Sequence, residues 1–319
     1  MKSNNESVTD LTKHNSIVRR NKEYEKGVAY ATLSYAIWGV LPVYWKAMAP
    51  IEPVLIMFYR MLMACIFVAI LARFIYKPAE IMATLKSKKT AALFLLSGLI
   101  ISVNWSIYIW AVNSGQVIQT SMGYYINPLI TALFGVLFFR EKLNKYKIAA
   151  LVIASAGVAV ILIGYGEFPA VALGLAVTFA IYGAIKKKVN ANSILALLFE
   201  TAFLTPVALI VIFFMETGDH SGLLSAGSAG HYVLVAFAGV VTAIPLILFA
   251  AGTNRIDLTT VGFLQYISPT ITLLLGIFAY HEPFDHIRLA AFVFIWAGLA
   301  VYAFSEIKSK SKEEIPECL

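Results

Sequence analysis

The 319 residues are 60% hydrophobic and only 13% charged, with a mean hydropathy of +0.78, a balance that excludes an ordinary water-soluble domain, which needs a polar shell. A net charge of +7 does not point to nucleic acid, because the basic residues are scattered through short connectors instead of gathered on one face. Two cysteines, Cys65 and Cys318, exclude a disulfide framework, and no Cys/His cluster has the spacing of zinc ligands, so neither metal nor cofactor is implied.

Residues 1–26 are polar, with six Lys/Arg and four acids, and read as a disordered tail. The apolar run that follows is too long for a signal-peptide core and is kept as a first span. Apolar runs long enough to cross about 30 Å of hydrocarbon then recur near 27–48, 54–76, 90–112, 117–139, 146–164, 168–185, 194–215, 231–252, 259–280 and 287–306. The fold class expected is all-α, a polytopic membrane protein of ten transmembrane helices. Several runs carry Pro, Gly or polar residues mid-span, which a helix packed around a cavity tolerates and a lone lipid-facing helix does not.

Orientation follows from Lys and Arg, which are retained in cytoplasmic connectors. Alternate connectors hold the six N-terminal basic residues, then Lys77, Lys86, Lys88 and Lys89, then Arg140, Lys142, Lys145 and Lys147, then Lys186, Lys187 and Lys188, then Arg255, and finally Lys308, Lys310 and Lys312. The intervening connectors, including 216–230 with Glu216 and Asp219, hold none. Both termini are therefore expected in the cytoplasm, with the chain in the cytoplasmic membrane.

Tyr125–Val160 aligns with Tyr266–Val301 at a constant offset of 141, with fifteen of thirty-six positions identical, among them Pro128/Pro269, Gly135/Gly276, Glu141/Glu282 and Gly157/Gly298. Tyr35-Ala36-Ile37-Trp38-Gly39 is echoed by Phe179-Ala180-Ile181-Tyr182-Gly183. The chain thus divides into a tail (1–26), a first five-helix repeat (27–164), a second (165–306) and a C-terminal tail (307–319). Five is odd, so the second copy enters the membrane in the opposite sense. Inverted halves can exchange roles about one central site, which is the basis of alternating access.

Trp38-Gly39 with Pro42 and Lys46, Tyr59-Arg60, Asn104-Trp105 with Tyr108, and the run Ser121–Leu129 resemble the EamA-like branch of the drug/metabolite transporter superfamily, and within it the RarD type. Tyr182-Gly183, Glu200-Thr201 with Pro206, Thr242 with Pro245-Leu246, and Gln265-Tyr266 with Pro269 carry the likeness through the second half, from Gly27 to Ser305 overall. The resemblance implies a ten-helix carrier of small metabolites or drugs. RarD-type members often carry the label of chloramphenicol-sensitivity permeases.

Arg60 and Glu200 each lie about six residues into a span, roughly 9 Å deep. Ionised groups at that depth must face water or a partner, and by default they are functional candidates. About 12 Å separates them in height on these dimensions, so each is expected to have its own partner. Arg60 would attract an anionic or carbonyl-bearing solute and Glu200 a cationic group or a proton; the alternative is that both are structural. Lys46, near a span end, either snorkels or contacts solute. Trp38, Asn104, Trp105, Tyr108, Tyr124, Tyr125, Asn127, Tyr182, Gln265 and Tyr266 fall near span middles, where they would line a pocket for amphipathic or cationic solutes or act as interhelical glue. Glu141 and Glu282 recur at matched span ends and read as helix caps.

No phosphate-cradling Gly-rich loop is present, so a secondary permease, with proton coupling left open at Glu200, is the leading function. An embedded enzyme would need paired acids, a metal cluster or a nucleophile with its base, and a non-transporting scaffold would need a partner-binding domain. The partners expected are a small-molecule solute and the lipid bilayer, not nucleic acid; a second copy of the chain is left open.

Overall fold

In the computed structural model, residues 3–114, 116–166, 168–189, 191–218, 220–281 and 286–313 are described. Asp219, Glu282 and Cys318, and the side chain of Arg288, lie outside that description. The chain runs α1 (Ser3–Lys46), α2 (Pro53–Ile75), α3 (Pro78–Thr84), α4 (Lys88–Asn113), α5 (Val117–Phe139), α6 (Lys145–Tyr165), α7 (Ala170–Val189), α8 (Ser193–Thr217), α9 (Leu223–Ala226), α10 (Ala229–Thr253), α11 (Leu258–Gln265), α12 (Ile267–Ala279) and α13 (His286–Glu313). No strand occurs among the described residues. Nine stretches among them, from Pro53–Ile75 to Leu289–Glu306, are long and apolar enough to cross a membrane. The chain is a polytopic all-α membrane protein.

Two features differ from the sequence expectation. α1 begins at Ser3, so the tail read as disordered over 1–26 continues the first helix. Nothing between Ser3 and Lys26 breaks a helix, the first Gly being Gly27 and the first Pro Pro42. The last residues of that segment are also tied down: the Tyr24 hydroxyl donates to Glu306 at 2.7 Å, and Arg255 pairs with Glu23 at 3.0 Å. The run expected as one helix over 259–280 is split at Tyr266 into α11 and α12, three residues before Pro269, whose missing N–H cannot bond back to the Gln265 carbonyl.

Helix starts are set by local chemistry. Asn144 and Asn192 cap α6 and α8, each side-chain oxygen accepting two backbone N–H groups of the first turn at 2.9–3.3 Å. Pro53 and Pro78 open α2 and α3, where a missing N–H costs nothing. α6 lies against α13 and α5 against α7. Gly157 and Gly298 permit the first of these: a Cβ at Gly157 would stand 2.7 Å from the Ala291 carbonyl, and one at Gly298 2.9 Å from that of Ala150. Such close approach is the means by which helices associate where no hydrophobic force drives them together.

The break at Tyr266 sends α11 and α12 to different neighbours. α11 packs on α5, and α12 packs on α1, where the Thr272 hydroxyl donates to the Gly39 carbonyl at 3.1 Å. Glu141 sits beyond α5 and accepts from Leu258 N (2.6 Å), Thr259 N (2.9 Å) and the Thr259 hydroxyl (2.8 Å). It caps α11 across the helix pair and also meets Lys187 at 3.3 Å. This is the capping role expected for Glu141, performed for a distant helix instead of its own.

Asp257, the residue before α11, makes no side-chain cap. Burial first, and then the Glu141 carboxylate, raise its pKa. An acid whose folded pKa lies above its unfolded value lowers stability as pH rises through that interval, because the unfolded chain ionises first. Asp257→Asn is therefore expected to remove a fall in the unfolding midpoint that sets in as pH rises above about 4, leaving the variant the more stable at neutral pH. Thermal unfolding of both proteins across that range is the check, and parallel curves would refute it.

Candidate functional site

Two charged groups mark the interior, and they sit in opposite circumstances. Glu200 on α8 is 2% exposed and Lys186 on α7 is 4% exposed; their side chains meet at 2.5 Å. The Ser97 hydroxyl of α4 donates to the same carboxylate oxygen at 2.5 Å, and the Tyr182 hydroxyl lies 3.4 Å from the other. Gly98 makes this possible, because a Cβ there would stand 3.1 Å from the Glu200 carbonyl, so α4 can bring Ser97 alongside.

Two cavities of about 10 Å³, each the size of one water molecule, flank Glu200. One reaches Asn254, toward the end of the molecule that holds the basic connectors; the other reaches Trp105 and Thr242. The carboxylate and its partners stand between them.

Arg60 on α2 has no acidic partner among the described residues. Its guanidinium lies 4.3 Å from the Trp105 ring of α4 and 5.4 Å from the Trp45 ring of α1. Its Nε is buried and makes no hydrogen bond. The phenols of Tyr108 and Tyr124 lie close to the same group and to each other. Tyr108 is 40% exposed and Tyr124 51% exposed, so four helices surround a cation and the protein leaves two of its aromatic neighbours partly uncovered. We term this the vestibule. Lys46, exposed, lies 3.8 Å from the Tyr280 ring at the end of α12, on the same side.

The remaining candidates divide by what they touch. Asn104 gives both bonds of its Nδ2 to α7, at 2.9 Å to the Leu175 carbonyl and 2.8 Å to the Thr178 hydroxyl; it joins helices. Trp38 and Tyr182 belong to an aromatic core with Tyr35, Phe179 and Phe249. The Tyr266 hydroxyl donates to the Tyr125 carbonyl at 3.2 Å, and the Tyr125 ring meets Phe292 edge-on at 5.2 Å. Asn127 accepts from Thr131 at 3.2 Å. Gln265 is buried with its Oε1 unbonded. Of the thirteen, the structure gathers Arg60, Trp105, Tyr108 and Tyr124 in one place, with Lys46 at its rim, and puts Glu200 in a second. Trp45, Ser97 and Lys186 were not among the sequence candidates. Lys186 was read as a connector charge because two more lysines follow it, although the spacing Tyr182–Lys186 puts it one turn below a ring on the same helix face.

Aromatic and charged groups gathered inside a bundle of apolar helices define a polytopic membrane transporter once the kinship of the chain is added. The EamA-like transporter family model matches residues 25–163 and again 169–304, and the chain belongs to that family. It is 42% identical to the uncharacterized transporter YojE of Bacillus subtilis, over 91% of this chain and 98% of that one. It is 35% identical to Protein RarD of Salmonella typhi (92% and 99% covered) and 32% identical to Protein RarD of Escherichia coli (91% and 98% covered), which makes it a RarD-type member. A solved crystal structure 18% identical in sequence superposes with a TM-score of 0.68 over 86% of this chain and 97% of the other, a likeness of fold.

Proposed function

We propose that the chain is a secondary permease that carries small organic solutes across the cytoplasmic membrane by alternating access, without catalysing a chemical change. The observation that carries this reading is the asymmetry of the two charged centres. Arg60 stands among aromatic rings that the protein leaves partly uncovered, while Glu200 is sealed against Lys186 between α7 and α8, with Ser97 of α4 alongside. Such an arrangement is what one face open and the other closed requires of a carrier built on inverted halves (27–164 and 165–306). The basic connectors put the sealed end in the cytoplasm, with both termini, and the vestibule outside. The solute and the bilayer are then its partners, with a second copy of the chain a further one, and Lys46 and Arg60 are the first cations a solute meets.

The test is uptake of radiolabelled solutes by proteoliposomes, with matched empty vesicles, over amino acids, nucleosides, polyamines and amphenicols. Counterflow of at least one solute, abolished by substitutions in the vestibule, supports the reading. Failure of every solute to enter, with the protein shown folded by its cooperative unfolding, rejects it.

A further inference from the structure

We infer that the solute is an organic anion, a carboxylate or similar planar oxyanion on a flat apolar or aromatic body, held by the in-plane edge of the Arg60 guanidinium. This rests on the reading that a solute passes through the vestibule.

Three observations lead there. First, Arg60 is charged and half-buried, and no carboxylate answers it among the described residues. The acid at comparable depth, Glu200, is already matched by Lys186 at 2.5 Å. Glu216, toward the opposite end from the basic connectors, is taken up in capping Leu223 and Leu224 and in accepting from Tyr59, and Glu52 lies 3.0 Å from His220. The vestibule therefore has an unmatched positive charge in surroundings of low dielectric, where a charge without a counterpart is costly.

Second, the aromatic groups do not form an empty cage for a cation. The guanidinium itself lies against the indoles of Trp105 and Trp45, and cation–π attraction offsets part of its lost hydration. A second cation there would meet repulsion. This narrows the amphipathic or cationic solutes that the aromatic set alone suggested.

Third, the hydrogen-bond donors of a guanidinium all lie in its plane. Nε, without a hydrogen bond, is one of them. A carboxylate presents two oxygens at the spacing that this fork accepts, a geometry an ammonium or an amide cannot supply. Trp105, Tyr108 and Tyr124 then offer flat surface to the body of the solute.

The experiment uses the purified full chain in detergent and three compounds of one shape: 3-phenylpropionate, its amide and 3-phenylpropylamine. Binding is read by the shift of the unfolding midpoint and by quenching of tryptophan fluorescence. The carboxylate is expected to bind at least about tenfold more tightly than the amide, and the amine not at all. Arg60→Gln should weaken the carboxylate about tenfold or more, and Arg60→Lys by an intermediate factor, because charge is kept but the fork is lost. Equal binding of carboxylate and amide, preferred binding of the amine, or binding of none of the three overturns the inference, and these comparisons on the unaltered protein stand even where Arg60→Gln fails to fold. Uptake separates the two readings. If the amide or amine enters proteoliposomes and the carboxylate does not, the permease stands and the anion falls; if solutes of every charge fail to enter, the permease falls too.

Discussion

Glu200→Gln is expected to destabilise the protein by about 3–5 kcal/mol, and Lys186→Met by a similar amount, whereas the double variant should recover most of the loss. The reasoning is electrostatic. Each side chain is all but withdrawn from water, so removal of one leaves the other as an unpaired charge in a medium that solvates it poorly. Removal of both leaves a neutral amide, with the Ser97 and Tyr182 hydroxyls still beside it, next to an apolar side chain, which costs little by comparison. Ser97 donates to the same carboxylate oxygen as Lys186 and still has the Phe94 carbonyl at 3.1 Å to accept its proton, so its loss of a partner is small. The measurement is a double-mutant cycle on the unfolding midpoint, with the coupling term as the readout. Additive single effects would mean that the ion pair is solvated in the working protein and not a sealed one.

The same pair bears on transport. Lys186 and the Ser97 hydroxyl both donate to one oxygen of the Glu200 carboxylate, so its near side is already occupied. Proton coupling at Glu200 would thus require the pair to part when the sealed end opens, and separation of α7 from α8 is the step that would do it. Transport measured with and without an imposed pH gradient distinguishes the coupled from the uncoupled carrier. A rate indifferent to that gradient assigns the pair to gating alone.

The span positions were legible because hydrocarbon thickness fixes a length, and each expected run from 54–76 to 287–306 overlaps an observed helix, α3 and α9 being short connectors. What pairs with what was less so. Arg60 and Glu200 were singled out from depth alone, and the groups around each were hidden for different reasons. Lys186 was masked by Lys187 and Lys188, since a lysine triplet at a span end looks like an interfacial cluster. Trp45, near the end of α1, looks in sequence like an anchor in the headgroup belt; only the convergence of α1, α2 and α4 turns it toward Arg60. Asn104 shows the converse error of weighting. An amide beside a tryptophan at mid-span suggests a pocket wall, yet both bonds of its Nδ2 are spent on the turn of α7 that ends at Thr178. The break at Tyr266 was likewise unread, although Pro269 was noted, because periodicity reports that a stretch is helical and not whether its two parts share an axis.

Gly262→Val should shift the balance between the two faces of the carrier. Gly262 lies on α11 where it crosses α5, and a Cβ there would stand 2.5 Å from the Pro128 carbonyl and 3.1 Å from the Ala132 nitrogen. Both neighbours are backbone atoms and cannot turn aside. Overpacking of this kind costs about 1–3 kcal/mol, and the cost falls only on the state in which α11 and α5 touch. If the opposite state parts these helices, the equilibrium moves toward it by about 5-fold to 150-fold, since 1.4 kcal/mol is a factor of ten. The probe is a cysteine at Val261, a fully buried neighbour, in a chain whose Cys65 and Cys318 are replaced by Ala. Its rate of modification by a membrane-impermeant thiol reagent, applied to inside-out vesicles, should rise by a factor in that range when Gly262→Val is added. Modification of a cysteine at Tyr124 from the other side should fall in parallel, because one population gains what the other loses. A rise at both positions would mean that the substitution loosens the bundle without exchanging its faces, and no rise at Val261 would mean that the contact between α11 and α5 is not the seal.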